Sequence, residues 1–402
     1  MKIGILTYYR VANFGANLQA LSTFFYLKNH GHEPIFIHYM PRELYAFTND
    51  GSSVQKKEHL HFIDSVIGKN QTELIHDRTE IDRVISLYNI EALIIGSDAL
   101  LQHHPLLERI KVGKRKPFYI QKISADRMYP NAFWGCGIEC DIPKALMSVS
   151  SQNSRYQYFN YFLKKRMRNS LSKFCYLSVR DEWTKAMVQS ITGNVIDVTP
   201  DPVFCFNTNC NELIVNAPEV RSKFNLPKNY VLVSLGSQCL TIEQLVDLKN
   251  KLNKKGKVCV ALPMPTGILF KHPFDYEIKC PLNSIDWYNL ICNASAYIGS
   301  NMHPIVVCLH NAVPCYSIDY WVNTNFWGQV INDGSGKVEH IMKTFGVSQN
   351  RCIIEGGKCT VSVDEILNAI EQYPISMVHA FSEKYQIKYE QMMQNILKSF
   401  KV

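Results

Sequence analysis

The chain has 402 residues, 46% of them hydrophobic and 19% charged, with a formal net charge of +8. That length leads one to expect two or three domains, the composition excludes a disordered chain, and no apolar run approaches the ~20 residues that span a bilayer. The positive balance favours anionic partners such as phosphorylated metabolites, acidic polysaccharide or anionic headgroups. No nucleic-acid-binding motif accompanies it, so nucleic acid is not an expected partner. The basic runs Lys164–Arg168 and Lys111–Lys116 read as a solvated helix face and a loop.

In chain order, Lys2–Thr7 reads as a strand and no leader is expected at the N-terminus. Tyr8–Asn17 is a polar loop containing Gly15, and Leu18–His30 an amphipathic helix with Leu18, Leu21, Phe24, Phe25 and Leu27 on one face. Gly31 stops it and Glu33–Tyr39 is the next strand, which together make a parallel βαβ unit. Asp82–Leu87 belongs to a helix. Ala92–Gly96 is a buried strand ending in Ser97-Asp98. Lys144–Ser151 is a strand, Gln157–Ser170 a basic helix, and Phe174–Val179 a strand ending in Arg180-Asp181. Thr184–Ile191 is a helix and Val195–Val198 a strand leading to Asp201-Pro202, where a turn is the default role. Asn207–Asn229 is polar, punctuated by proline, and reads as a linker. A second alternating block follows: strands Tyr230–Leu235 and Val258–Leu262, helices Thr241–Leu252 and Ile285–Ile291, then helices Val338–Phe345, Val363–Gln372 and Ser382–Phe400. Two α/β domains with mostly parallel sheets are expected, spanning 1–206 and 225–372, with a C-terminal helix in 373–402 free to cross back to the first.

The segment most suggestive of chemistry is Ala296–His310. It reads as a buried strand, a small-residue turn and an apolar helix, with Pro304 at the first helical position and His303 at or beside the N-cap. Ligands bind at the carboxyl ends of strands in open α/β sheets, and helix N-termini favour anions. An imidazole there can serve as acid and base, or merely cap the helix. His310 ends that helix, where a cation complements the dipole. Thirteen cysteines, many in apolar context, read as reduced cytoplasmic thiols packed as small hydrophobes. Cys136–Cys140 and Cys205–Cys210 lack zinc-ribbon spacing, His103-His104 has no third ligand at a useful spacing, and no metal is assigned.

These motifs, in this order, resemble the polysaccharide pyruvyl transferase family. Ile3–Thr7 followed by Asn13-Phe14-Gly15-Ala16-Asn17-Leu18-Gln19-Ala20 is similar to the family's opening strand and loop; Gly96-Ser97-Asp98 to its Gly-Ser-Asp element; Ser178-Val179-Arg180-Asp181 and Asp201-Pro202 to its Ser-x-Arg-acid strand end and later Asp-Pro; Met302-His303 to its Arg-(Leu/Met)-His; and Ser335-Gly336-Lys337-Val338 to a helix start in some members. Two departures stand out. Asn301 occupies the place of the family's arginine, losing charge and fork geometry, and no tryptophan follows Asp98 in Ala99-Leu100-Leu101. The resemblance implies a GT-B-like fold, two Rossmann-type domains facing a central cleft, with the acceptor on the N-terminal side and the donor on the C-terminal side. It implies transfer of a pyruvyl unit from phosphoenolpyruvate to two hydroxyls of a sugar, lipid-linked or polymeric, as a cyclic ketal with release of phosphate. Phosphoenolpyruvate is then a donor substrate and no cofactor is expected. His303 and Arg180 become the catalytic candidates, and Asn13, Gly15, Asn17, Gln19, Ser97, Asp98, Asn301, Met302, Ser335 and Lys337 the substrate-binding ones. The expected location is cytoplasmic, with the basic surface allowing peripheral contact at the inner face of a membrane. A nucleotide-sugar glycosyltransferase and a non-catalytic glycan-binding relative are the competing readings on the same architecture.

Overall fold

Short apolar strands alternating with helices assemble into two parallel sheets in a computed structural model, which describes residues 1–48, 53–111, 119–237, 239–319, 336–354 and 359–401. The first sheet holds β1 (Lys2–Leu6), β2 (Glu33–Phe36), β3 (Ala92–Asp98), β4 (Lys144–Val149), β5 (Tyr176–Val179) and β6 (Asp197–Val198), in the order β2-β1-β3-β4-β5-β6. The second holds β7 (Tyr230–Ser234), β8 (Val258–Ala261), β9 (Tyr276–Glu277), β10 (Ala296–Gly299), β11 (Cys315–Asp319) and β12 (Arg351–Ile353), in the order β9-β8-β7-β10-β11-β12. Among the described residues every strand pairing within both sheets is parallel. The central strands are buried along their whole length, as continuous runs such as Leu93-Ile94-Ile95 and Val231-Leu232-Val233 require when helices cover both faces. The second sheet has the strand order of a dinucleotide-binding fold, whose direction reverses between β7 and β10 and leaves a crevice there.

Seven helices matter for the site: α1 (Phe14–Asn29), α2 (Tyr161–Leu171), α3 (Glu182–Thr192), α4 (Ser284–Cys292), α5 (Met302–His310), α6 (Lys337–Thr344) and α7 (Ile375–Ser399). Helix α1 differs from its sequence reading. It begins four residues earlier and is buried on all faces from Phe14 to Leu27. Its polar side is bonded inside the protein: Asn17 Oδ1 accepts from His59 Nδ1 (2.7 Å) and from Ser284 Oγ of α4 (2.8 Å), and Ser22 Oγ donates to the Pro202 carbonyl (2.6 Å). Phe14 stacks on Trp287 of α4 at 5.0 Å between centroids. The helix is thus wedged between the two sheets, and one apolar cluster runs through both halves, from Ile3, Phe24 and Phe36 to Tyr288, Ile305 and Tyr389.

The segment 207–229 is structured rather than a bare linker. It contains the helical turn Phe206–Asn209 and the helix Ala217–Phe224; Cys210 and Val220 are buried, and Asn209 Nδ2 donates to Ser22 Oγ (3.0 Å). Helix α7 touches both halves. Tyr26 Oη donates to Glu390 (2.8 Å), Ser178 Oγ contacts Met392 Sδ (3.5 Å), and Ser382 Oγ donates to the His310 carbonyl (3.0 Å). Among the described residues no helix is long and apolar enough to cross a membrane.

Candidate active site

Helix α5 starts at Met302, with Asn301 as its N-cap, so His303 is the second helical residue and Pro304 the third. The proline is two positions later than the sequence reading had it. It is tolerated because the first four helical N–H groups have no intrahelical acceptor. This first turn follows β10 and lies at the crevice where the second sheet changes direction. The His303 ring packs on α1 of the first half. A Cβ built on Gly15 would stand 2.0 Å from His303 Cγ, so only glycine leaves room for the imidazole. His303 Nε2 is buried and has no hydrogen-bond partner among the described residues. Burial is the main force on its pKa, opposed by Asp201 and Asp98 and reinforced by Arg180 and Lys337; the result is a pKa lowered to about 4 and a neutral ring at neutral pH.

Facing it are the strand ends of the first sheet. Arg180 follows β5 and Asp201 follows β6; Arg180 Nη1 donates to Asp201 Oδ2 at 2.7 Å, with both side chains buried. The same oxygen accepts from Gln19 Nε2 of α1, and Oδ1 accepts from the Val203 amide (3.0 Å). Asp201 is therefore the hub of this corner and not only a turn former. Burial pulls the Arg180 pKa down, but Asp201, Asp98 and Asp181 together outweigh it and the guanidinium stays charged. Its Nη2 is buried without a partner among the described residues. Asp98 ends β3 and takes the Ala99 amide on one oxygen (2.6 Å). Asp181 caps α3 through the Thr184 amide and accepts from Ser150 Oγ, both at 2.7 Å.

Lys337 opens α6 and reaches the same corner. Burial, then Arg180, lowers its pKa to about 8, against the pull of Asp98, Asp181 and Asp201. The ammonium is thus charged at neutral pH. One turn on, His340 faces the same side, as an i,i+3 pair must. Its Nε2 is also buried and, among the described residues, unpartnered, and burial lowers its pKa. Sequence reasoning missed His340. The available signal was its helical spacing from Lys337.

Two cavities meet at Met302, which lines both. The inner one, about 20 Å³, is bounded by Arg180, Asp181, Asp201, Lys337, His340 and Tyr385, and has room for about one water. The outer one, about 170 Å³, is lined by Asn13, Gly15, Ser234, Met264, Trp287, Asn301 and His303. Asn301 makes no side-chain capping bond, and it lines the outer cavity. Asn13 lines that cavity while its Oδ1 accepts from the Ala16 amide (3.2 Å).

Three of the candidates do not reach the cleft. Asn17 is fully buried and bonded to Tyr9, His59 and Ser284, so it joins the halves and has no atom left for a ligand. Ser97 is buried; its Oγ donates to the Ser148 carbonyl and its own carbonyl accepts from Thr7 Oγ1, both at 2.6 Å, fastening strand ends. Gln19 Nε2 donates to Asp201, and its Oε1 is buried with no partner among the described residues. Ser335 lies outside the described residues, as does 112–118, which takes most of the Lys111–Lys116 run. His310 is not a cation on the helix dipole: burial lowers its pKa to about 3, and its Nε2 pairs with Tyr288 Oη (3.0 Å). His103 accepts from the Tyr129 amide (3.1 Å), and His104 pairs with Glu108 (3.0 Å). Among the described residues no group of three or more His, Cys, Asp or Glu side chains is arranged to hold a metal.

Solved structures similar to this one include two 2-epimerases and a glycosyltransferase. UDP-GlcNAc 2-epimerase from Neisseria meningitidis, bound to UDP-GlcNAc, superposes with a TM-score of 0.58 at 10% identity, over 99% of this chain and 100% of that one. A 2-epimerase described as putative from Listeria monocytogenes gives 0.47 at 10% identity over 94% of each chain. Glycosyltransferase VinC in complex with DTDP gives 0.46 at 10% identity over 100% of each. The fold is GT-B-like, two Rossmann-type domains about a central cleft. No curated protein matches the chain. Residues 13–321, from the loop that touches His303 through the helix that carries it, match the model of one family, and the chain belongs to the polysaccharide pyruvyl transferases.

Proposed function

We propose that the protein transfers the pyruvyl unit of phosphoenolpyruvate to two hydroxyls of one sugar in a surface-polysaccharide precursor, forming a cyclic ketal and releasing phosphate. Family membership supports a transferase with a glycan acceptor. The observation that carries the finer reading is the approach, from two buried cavities that share Met302, of groups in opposite protonation states. A neutral His303 with an unpartnered Nε2 lies beside the cations Arg180 and Lys337. Paired groups whose pKa values are pushed to either side of neutrality are the pattern of an acid and a base.

In this scheme the donor sits in the outer cavity against Met302 and His303, its phosphate and carboxylate directed across Met302 toward Arg180 and Lys337, whose charges replace that of the missing arginine at Asn301. Arg180 is held in place by Asp201. Lys337 gives a proton to the methylene carbon as the first sugar hydroxyl bonds to the adjacent carbon, and that hydroxyl's proton passes to His303 Nε2. The carbon–oxygen bond to phosphate breaks. The second hydroxyl then closes the ring, and its proton leaves on phosphate. The imidazolium returns its proton through solvent to Lys337. One hydroxyl proton thus ends on the new methyl group and the other on phosphate. The amides of Asn13 and Asn301 offer both donors and acceptors to sugar hydroxyls at the outer cavity. The donor is a substrate, so the scheme calls on no cofactor.

The test is mass spectrometry of nucleotide-linked and lipid-linked sugars after incubation with phosphoenolpyruvate. The expected product gains one pyruvate less one water, with an equivalent of phosphate. His303→Ala should cost about 10²–10⁴-fold in rate with an unchanged thermal melt. Release of nucleoside diphosphate from a nucleotide sugar, without phosphoenolpyruvate, would replace this reading by glycosyl transfer. Near-normal turnover by a folded His303→Ala protein would remove the histidine from the mechanism.

A further inference from the structure

Helix α2 has one face that the fold uses and one that it does not. Leu163, Met167 and Leu171, spaced by four, pack on the core of the first half. On the other side the first turn presents Tyr161 at 74% exposure and Phe162 at 76%, with Tyr158 just before them at 56%. The following turns present Lys164, Lys165, Arg166 and Arg168, and no acidic residue occurs between Tyr156 and Lys173. Arg166 lies over the Tyr129 ring, 5.6 Å from its centroid, and Arg168 donates to the Ile191 carbonyl (2.6 Å), whereas Lys164 and Lys165 have no partner among the described residues.

The place of this face is set by topology. In a parallel βαβ unit the helix begins at the carboxyl edge of the sheet, so the aromatic turn stands on the edge from which Asp98, Arg180 and Asp201 emerge. The loop after β3 adds Leu106 and Leu107, both more than half exposed. It adjoins the loop before α2 through the His103 amide bonded to Ser154 Oγ (3.0 Å) and the His103 ring against Phe159 (5.2 Å). A rim of exposed aromatic and leucine side chains, backed by unpaired cations, therefore flanks the cleft.

We infer that this rim docks the enzyme on an anionic lipid surface, with the cleft turned toward the headgroups. Aromatic side chains with a polar edge favour the membrane interface, lysine stems reach along apolar surface while their charges stay in water, and stable peripheral binding needs both an apolar and a cationic contribution. The rim supplies both on one face. The docking accounts for how a lipid-borne sugar reaches the cleft, and in that respect rests on the pyruvyl-transfer reading; binding to lipid does not.

The experiment is sedimentation of the full-length protein with vesicles of phosphatidylcholine alone and of phosphatidylcholine mixed with phosphatidylglycerol. Binding is expected to the mixed vesicles only, and to weaken with salt. Lys164→Gln with Lys165→Gln should lower the partition constant about fivefold per charge removed, and Tyr161→Ser with Phe162→Ser should lower it as well. Failure of the wild type to bind the mixed vesicles, equal binding to phosphatidylcholine alone, or variants that bind like the wild type would overturn the proposal. So would displacement by soluble alginate together with unchanged binding of the aromatic variant, which marks a site for acidic polysaccharide. Phosphate release from phosphoenolpyruvate, followed in parallel in solution, separates the two readings: its absence counts against the chemistry and leaves the vesicle result standing.

Discussion

Gly15 and His303 are nearly 300 positions apart in sequence and touch in space, and that contact decides what each can be. A methyl group at position 15 would overlap three atoms of the imidazole, at 2.0–2.3 Å, and the ring would have to turn away. Gly15→Ala should therefore cost about 10²-fold in turnover, as misplacement of a reacting group by about 1 Å does, and about 1–3 kcal/mol of stability through overpacking of the helix junction. Phosphate release is the readout; an undiminished rate would mean that the ring's position is irrelevant to the reaction. Asp201 is instructive for the opposite reason. Its turn role was legible from Asp-Pro, and the structure confirms that Asp201 caps the turn Pro202–Cys205. Its other oxygen binds Arg180 and Gln19, from β5 and α1, and no local pattern could announce that.

Helix α1 illustrates what periodicity reads and what it misses. Leu18, Leu21 and Phe25 mark a helical stripe, but the polar Asn17, Gln19, Ser22 and Thr23, of which Asn17 and Gln19 are substrate-binding candidates by sequence, are all buried in the same helix. Each is bonded to a neighbour within the fold, Thr23 to the Gln19 carbonyl one turn back and the other three across long stretches of sequence. A buried polar group costs free energy only when it is unpaired. Asn17→Ala should orphan His59 Nδ1 and Ser284 Oγ and lower stability by about 1–3 kcal/mol, measured by chemical denaturation. No change in midpoint would show that these bonds do not hold the halves together. Helix α5 is the complement. Its apolar run and proline mark a helix start, and the structure moves the boundary two residues, which brings Met302 and His303 into the first turn rather than before it.

Across the whole molecule, burial holds several imidazoles neutral. The pKa values of His38, His59, His103 and His303 are lowered to about 4, and that of His310 to about 3. An unfolded chain protonates histidine near pH ~6.5, so between there and about 4 the unfolded state binds more protons than the folded one. Stability is then lost as the pH falls through that window and is fully retained above it. The melting temperature should drop steadily from pH 7 to pH 4, and a flat profile would contradict the burial of these rings. The kinetic limbs belong to the site. In the free enzyme kcat/KM should fall below about 4 as His303 is protonated and above about 8 as Lys337 loses its charge.

Much was determined by the chain read alone. Alternating apolar runs and helical stripes specify two parallel α/β sheets, because hydrogen-bond geometry and burial of apolar side chains act over a few residues at a time. The same patterning puts Ser97-Asp98, Arg180-Asp181 and Met302-His303 at strand ends and helix starts; it is the family resemblance that picks these motifs out, with Asn13–Gly15 and Asp201-Pro202, as a set. Which of their atoms face a ligand was decided only by tertiary structure. Asn17, Gln19 and Ser97 turn inward and Asn13, Asn301 and His303 toward the outer cavity, while Asp201 and His340 join the inner one. The physical reason is that a polar side chain satisfies whichever partner the packed fold brings within about 3 Å, and such partners come from strand ends that are remote in sequence.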